Sequence, residues 1–190
     1  MADISITTAR KLPPAADPAD AAPAAPGAHS GTHDAKEPCW DLIELLFFAY
    51  RDFVSDPDEV LVKLGFGRAH HRVLHFVNRN PGIKVADLLD ILKITKQSLG
   101  RVLKQLIDQG YIVQREGAHD RRQRLLYASA SGEALALKLA GLQTERIARV
   151  LGELGPDAHE AARRFLTAMI DPDNRDGVLR LVEQRGKARR

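Results

Sequence analysis

The sequence predicts a mainly α-helical protein with one small β-hairpin. Three observations carry that reading. Apolar residues recur at three- and four-residue spacing beyond residue 38, as they do in helices with one buried face. A single pair of short runs, Tyr111–Arg115 and Gln123–Ser129, flanks a polar tip that contains a glycine. Helix breakers punctuate the chain at Asn80-Pro81-Gly82, Gly110 and Gly155-Pro156.

In chain order, residues 1–37 hold eleven Ala and five Pro. Such a stretch buries too little apolar surface to offset the entropy of ordering it, so a disordered arm is expected. Pro38 suits the first turn of a helix, and Trp40, Ile43, Phe47, Tyr50 and Val54 predict that helix over about 38–54. Ser55–Asp58 has the composition of a turn. A second helix is predicted over 68–79, ended by Asn80-Pro81-Gly82 because Pro disfavours helical geometry in the residue before it. Two helices follow closely, 85–92 and 95–109, with Gly110 as the stop. After the hairpin, Leu135, Leu139, Leu142, Ile147, Val150 and Leu151 mark a long helix to about Leu154. Asp157 is read as the cap of another helix reaching Ile170, and the tail 172–190 as holding a turn around Val178–Val182 before the basic end Lys187, Arg189 and Arg190.

A chain of 190 residues suits one domain with tails. One cysteine excludes an internal disulfide framework and any multi-Cys zinc site. The longest apolar run, Leu42–Tyr50, is interrupted by Glu44 and falls far short of a bilayer span. No charged start followed by an apolar stretch marks a secretory signal. A cytoplasmic protein with no membrane partner is expected. No Gly-rich phosphate loop, nucleophile elbow or carboxylate–histidine metal motif appears, so neither enzymatic activity nor a cofactor is expected.

Charge singles out one block. Val60–Ala130 carries 13 Lys/Arg against 5 Asp/Glu, whereas the remainder of the chain carries 15 against 20. A basic block in an otherwise acidic chain points to a polyanion partner. Within it, Leu99, Val102, Leu103, Leu106 and Ile107 form one inward helical face. The opposite face shows Lys96, Gln97, Ser98, Gly100, Arg101, Lys104 and Gln105, donors suited to base edges and phosphates. With the short link Lys93-Ile94 into the N-cap Thr95, this is a helix-turn-helix, and the hairpin is its wing. The fold class is therefore a winged helix-turn-helix lobe plus a helical dimerisation region. Lys96, Gln97, Ser98 and Arg101 are expected to read bases of double-stranded DNA. Thr95, Lys104, Arg121, Arg122 and Arg124 are expected at the backbone or minor groove.

The terminal helices carry more apolar residues than one small lobe needs. Trp40, Leu46, Phe47, Leu151, Phe165, Leu166 and Ile170 are expected to pack between two chains of a homodimer. The domain reading is an arm 1–37, a domain 38–171 and a tail 172–190. The DNA-binding lobe would cover about 60–130 and the dimerisation helices about 38–54 and 131–171. His71 and His75 stand four apart on one helix, a spacing at which two imidazoles share a metal, yet no third ligand lies near in sequence. They are read as partly buried or solvated side chains, with no metal, and His70 as facing solvent or a phosphate. Cys39 is a weak redox candidate, read as a plain cysteine at a helix start.

These residues together resemble the MarR family of winged helix-turn-helix transcriptional regulators over about 38–171. The likeness is closest through Val85-Ala86-Asp87-Leu88, Thr95 to Gly110 and Asp120-Arg121-Arg122. The run Gly67 to His75 resembles an alphaproteobacterial branch of that family. The resemblance implies that Asp120 and Arg122 brace the wing, that the terminal helices join a dimer, and that a cleft between the lobes answers to a small-molecule effector. The chain departs from the family pattern at Lys84, where a Ser or Thr N-cap is usual, at Lys93, where Gly is usual, and at Leu89, where a small residue is usual. The resulting expectation is a repressor that binds a palindromic operator and responds to a small-molecule or redox signal. Two other classes remain: an architectural DNA-binding protein without an effector, and a winged-helix module for protein contacts.

Overall fold

A computed structural model describes residues 37–117 and 123–183. Its elements are α1 (Trp40–Val62), α2 (Arg68–Arg79), β1 (Ile83–Lys84), α3 (Val85–Leu92), α4 (Lys96–Asp108), β2 (Ile112–Glu116), β3 (Arg124–Ala128), α5 (Ala130–Leu154), α6 (Ala158–Ala168) and α7 (Pro172–Glu183). All of them lie in the compact unit that begins at Trp40. The sheet has the order β1-β3-β2, both pairings antiparallel, so the expected hairpin gains a third strand. β1 is only two residues long, too short to show a period of two in sequence. Ile83 of β1 is buried opposite Leu126, and the Gly82 N–H reaches the Leu126 carbonyl at 2.8 Å.

One core joins helices α1 through α5 and the sheet. Leu61 and Phe66 follow from α1, Val73, Leu74 and Val77 come from α2, and Leu88 and Leu92 from α3. Leu99, Val102, Leu103 and Leu106 of α4 meet them, closed by Ile112, Leu126 and then Leu135, Ala136 and Leu139 of α5. Every one of these is a hydrophobic residue at the spacing its element requires.

The ends of the helices explain where prediction and structure agree. α4 starts at the N-cap Thr95, whose hydroxyl oxygen accepts the Ser98 N–H at 3.2 Å. It stops at Gly110 (φ +76°), where Gly110 N–H meets the Ile107 carbonyl at 2.9 Å and Tyr111 N–H meets the Leu106 carbonyl at 2.8 Å. That pair of bonds is a Schellman stop, which needs the left-handed residue that glycine adopts freely. Ser129 then starts α5, accepting the Gly132 N–H at 3.0 Å while donating to the Gly110 carbonyl at 2.6 Å. α2 and α3 cover the residues predicted.

Elsewhere the structure corrects the expectation. α1 begins at Trp40 rather than Pro38, and it runs through Ser55–Asp58 to Val62 with Pro57 inside. An internal Pro removes one helical hydrogen bond and costs about 3 kcal/mol. Here Val54, Pro57 and Leu61 form a buried stripe, Asp56 pairs with Arg146 of α5 at 2.9 Å, and Asp58 pairs with Arg68 of α2 at 2.7 Å. Packing outweighs the lost bond. Asp157 precedes α6 in helical geometry and its side chain makes no cap bond. The described part of the tail, 172–183, forms a helix, α7, opened by Pro172 and tied back by Arg175, which donates to the Ala168 and Ile170 carbonyls.

At Gly132, α5 lies close against the backbone of Tyr111, the residue before β2. A Cβ there would lie 2.0 Å from the Tyr111 carbonyl oxygen, which is itself held by the Ser129 N–H. Gly132→Ala is therefore expected to destabilise the fold by about 2 kcal/mol or more in urea unfolding. A loss below about 0.5 kcal/mol would mean that α5 shifts freely away from the sheet.

Candidate nucleic-acid interface

The turn that aims α4 is built from an unusual residue. Lys93 is left-handed (φ +50°, ψ +44°), a conformation a non-glycine residue adopts at some energetic cost. Its N–H still meets the Leu89 carbonyl at 2.9 Å, and Arg72 of α2 donates to the Leu92 carbonyl at 3.1 Å, so the end of α3 is satisfied. Lys84, at the start of α3, supplies no cap bond.

Because Leu99, Val102, Leu103 and Leu106 are buried, the opposite face of α4 points outward. Lys96, Gln97 and Arg101 are exposed there, and their side chains make no hydrogen bond or ion pair among the described residues. Ser98 is half-buried and engaged with Thr95, whose hydroxyl donates to the Ser98 oxygen at 3.0 Å. Those two residues hold the start of the helix. Lys104 pairs with Asp108 at 2.6 Å, and Ser98, Arg101, Lys104 and Gln105 line one surface concavity. A Cβ at Gly100 would meet nothing, so packing does not require glycine at that outward position.

On the wing, Arg124 pairs with its cross-strand neighbour Glu116 at 3.2 Å, a partner not foreseen in sequence. The pair is exposed, and pairs of this kind contribute about 0.2–1 kcal/mol. Arg115 lies on the other strand face, its guanidinium 5.0 Å from the Tyr127 ring centroid. Sequence reading missed Arg115. No sequence signal marked it, because Arg115 and Tyr127 are placed on one face only by the strand register. Asp120, Arg121 and Arg122, the expected wing brace and tip, lie outside the described residues, as do arm residues 1–36 and the basic end after 183.

The expected dimer residues divide. Trp40 and Phe47 of α1 are 64% and 68% exposed, and Phe165 and Leu166 of α6 are exposed as well, whereas Leu151 and Ile170 are half-buried. Every residue from Trp40 to Arg51 is exposed, so the N-terminal half of α1 is apolar and uncovered within the chain. Cys39, a free cysteine, is half-buried just before it.

Between α1, α2 and α5 lies a cavity of about 300 Å³ lined by Tyr50, Phe53, Val54, His71, Arg72, His75, Phe76 and Gln143. Burial holds the His71 imidazole below its ordinary value, with Asp58 pulling weakly the other way. His75 packs edge-on against Phe76 at 5.1 Å. Among the described residues no group of three or more His, Cys, Asp or Glu stands close enough to hold a metal ion. His70, expected to face solvent or a phosphate, is instead half-buried, stacked on Phe66 and bonded to Gly67 and Gln105.

A helix-turn-helix with an exposed basic reading face, backed by a small antiparallel sheet, defines a winged-helix DNA-binding protein. The sequence pattern of the MarR family matches residues 64–123. The HTH-type transcriptional regulator PetP of Rhodobacter capsulatus is 45% identical over 130 residues, covering 68% of this chain and 78% of that protein. The chain belongs to the MarR family, whose members are DNA-binding transcriptional regulators and not enzymes. The fold is shared with the transcriptional regulator SlyA (TM-score 0.58, 21% identity, 68% of this chain and 91% of that one). It is shared also with MarR (TM-score 0.56, 20% identity, 83% and 99%) and with Streptococcus pneumoniae FabT (TM-score 0.62, 14% identity, 68% and 93%), whose structure was solved with DNA. Among the described residues no helix is long and apolar enough to cross a membrane.

Partial burial of His71 makes stability depend on pH. An unfolded chain takes up a proton at the ordinary histidine value near 6.5, before the folded ring does. The stability conferred by neutral His71 is therefore present above about pH 6.5 and is lost as pH falls through the folded value. Urea midpoints should drop between about pH 7.5 and pH 5, and His71→Phe should flatten that drop. An unchanged slope in the variant would assign the effect to other groups.

Proposed function

We propose that this regulator works as a homodimer that grips a palindromic operator, represses from it, and releases it in response to a small-molecule or redox signal in the cytoplasm. The observation that carries the reading is the outward face of α4: Lys96, Gln97 and Arg101 are exposed and uncommitted, at the start of a helix whose positive dipole end favours DNA phosphates. Arg101 lies one turn after Gln97, where its planar fork suits two bonds to a guanine edge. Ser98, expected among the base readers, is bonded to Thr95, so both are read as contributing through the cap and through local phosphate contacts. Lys104, Arg124 and the expected wing residues Arg121 and Arg122, braced by Asp120, add backbone and minor-groove charge. Arg115 joins them as a cation steadied by Tyr127. FabT, which shares the fold, has been captured with DNA.

The domain is read as 38–171, with the DNA-binding lobe about 60–130 between dimerising helices, flanked by the arm 1–37 and the tail 172–190. Dimerisation is supported by the uncovered apolar half of α1 and by Phe165 and Leu166, a surface of the kind that water-exposed monomers avoid. A two-fold dimer presents two copies of α4, which is why the operator is read as palindromic. The aromatic-lined cavity beside His71 is where a small effector would lodge, between the dimerising helices and the lobe that carries α4. Cys39 is the single thiol available for a redox signal.

Competition binding on a duplex selected from a random pool tests the reading of α4. Arg101→Ala should cost about 1–3 kcal/mol on that duplex and less on random DNA. Arg124→Ala should weaken both nearly alike and reduce the salt slope by about one unit, less whatever freeing Glu116 adds. Equal losses from Arg101→Ala on both duplexes would remove it as a base reader. Broad, salt-driven affinity without preference would identify an architectural protein, and no binding at low salt a protein-contact module.

The dimer is tested separately. Light scattering of the wild type should give twice the chain mass at micromolar concentration, and Phe165→Asp should give monomers with reduced operator affinity. A monomeric wild type would refute the dimer.

A further inference from the structure

His70 occupies the third position of α2 and joins three parts of the lobe. Its ring stacks on the buried Phe66 ring, with centroids 4.8 Å apart and planes inclined by 19°. Its Nδ1 accepts the Gly67 N–H at 3.1 Å. Gly67, the residue before α2, has no side chain with which to cap the helix, and the imidazole supplies only the reciprocal half of a capping box, satisfying the Gly67 N–H from three residues on. A ring nitrogen that accepts carries no hydrogen, so the hydrogen of the neutral ring sits on Nε2. Nε2 lies 2.6 Å from Oε1 of Gln105 in α4 and donates to it. Gln105 is exposed and shares its surface concavity with Arg101 and Lys104.

We propose that His70 is a positioning residue for DNA binding: by occupying Oε1 of Gln105 it holds that amide with its NH2 group outward, as a fixed donor to the operator. The proposal rests on the reading of α4 as the DNA-facing helix. A glutamine on an open helix face samples many rotamers and loses that freedom when it binds. One already held by a ring that is itself stacked and hydrogen-bonded has lost it in advance. The same bond ties α4 to the start of α2, so the donor is fixed relative to the lobe and not to its own helix alone.

The test is a double-mutant cycle in the full chain, read as affinity for the duplex selected from a random pool. Gln105→Ala should weaken binding about three- to tenfold, the range of one neutral hydrogen bond. His70→Phe, which keeps a ring against Phe66 but makes neither bond, should weaken it to a similar degree. In the double variant the losses should not add. His70→Asn separates the bond to Gln105 from the cap. Its short amide offers the Gly67 N–H an acceptor but ends short of Gln105 and gives up the ring contact with Phe66. It should lose affinity as His70→Phe does when both variants are assayed where their urea curves show them fully folded. Equal losses from His70→Phe with and without Gln105, or wild-type affinity in His70→Asn, would overturn the proposal. If Arg101→Ala weakens binding and Gln105→Ala does not, the reading of α4 stands and the role of His70 fails. If neither does, the docking of α4 fails with it.

Discussion

Burial of one stripe on α4 governs the rest of the molecule. Leu99, Val102, Leu103 and Leu106 sit in the core among residues of α2, α3, β3 and α5. Turning α4 about its axis would expose four large apolar side chains, each worth about 1.5–3 kcal/mol in the interior. The helix therefore has one orientation, and that orientation puts Lys96, Gln97 and Arg101 into solvent together. The Lys93 turn before α4 and the Gly110 stop after it set its two ends against α3 and β2. Strain at Lys93 is tolerable because the carbonyl and N–H groups around it have partners in Arg72 and Leu89.

A second imbalance complements the first. The lobe that carries α4 buries its apolar residues within one chain, whereas Trp40–Arg51 buries none. The division falls inside α1 itself, between an outer half with no cover and an inner half where Val54, Pro57 and Leu61 are packed. One helix thus belongs to two surfaces. The inner half borders the cavity beside His71, so whatever covers the outer half is mechanically continuous with that cavity through a single rigid element. This continuity is the physical basis for reading effector binding and DNA release as coupled.

Much of this was legible in the sequence because short-range chemistry marks it. Asn80-Pro81-Gly82, Thr95 and Gly110 are local signals, and the helices they bound emerged over the residues predicted. The extension of α1 through Ser55–Asp58 was not legible, since it depends on burial of Pro57 and on Arg146, ninety residues away. β1 was too short to carry a pattern, and α7 was read as a turn because only Val178, Leu179, Leu181 and Val182 interrupt its polar sequence. Family membership and the outward polar face of α4 followed from the residues themselves. The side-chain pairings on the wing and beside α4 did not: Glu116 with Arg124, Tyr127 with Arg115 and His70 with Gln105 each depend on strand register or on how α2 packs against α4.

The central claim is that two copies of α4, related by a dimer axis, enter successive major grooves. Hydroxyl-radical footprinting of the full chain on the selected duplex tests it most directly. Two protected half-sites of like sequence should appear, their centres separated by about 10 base pairs or a multiple of that spacing. A single protected half-site, or uniform protection along the duplex, would contradict the account.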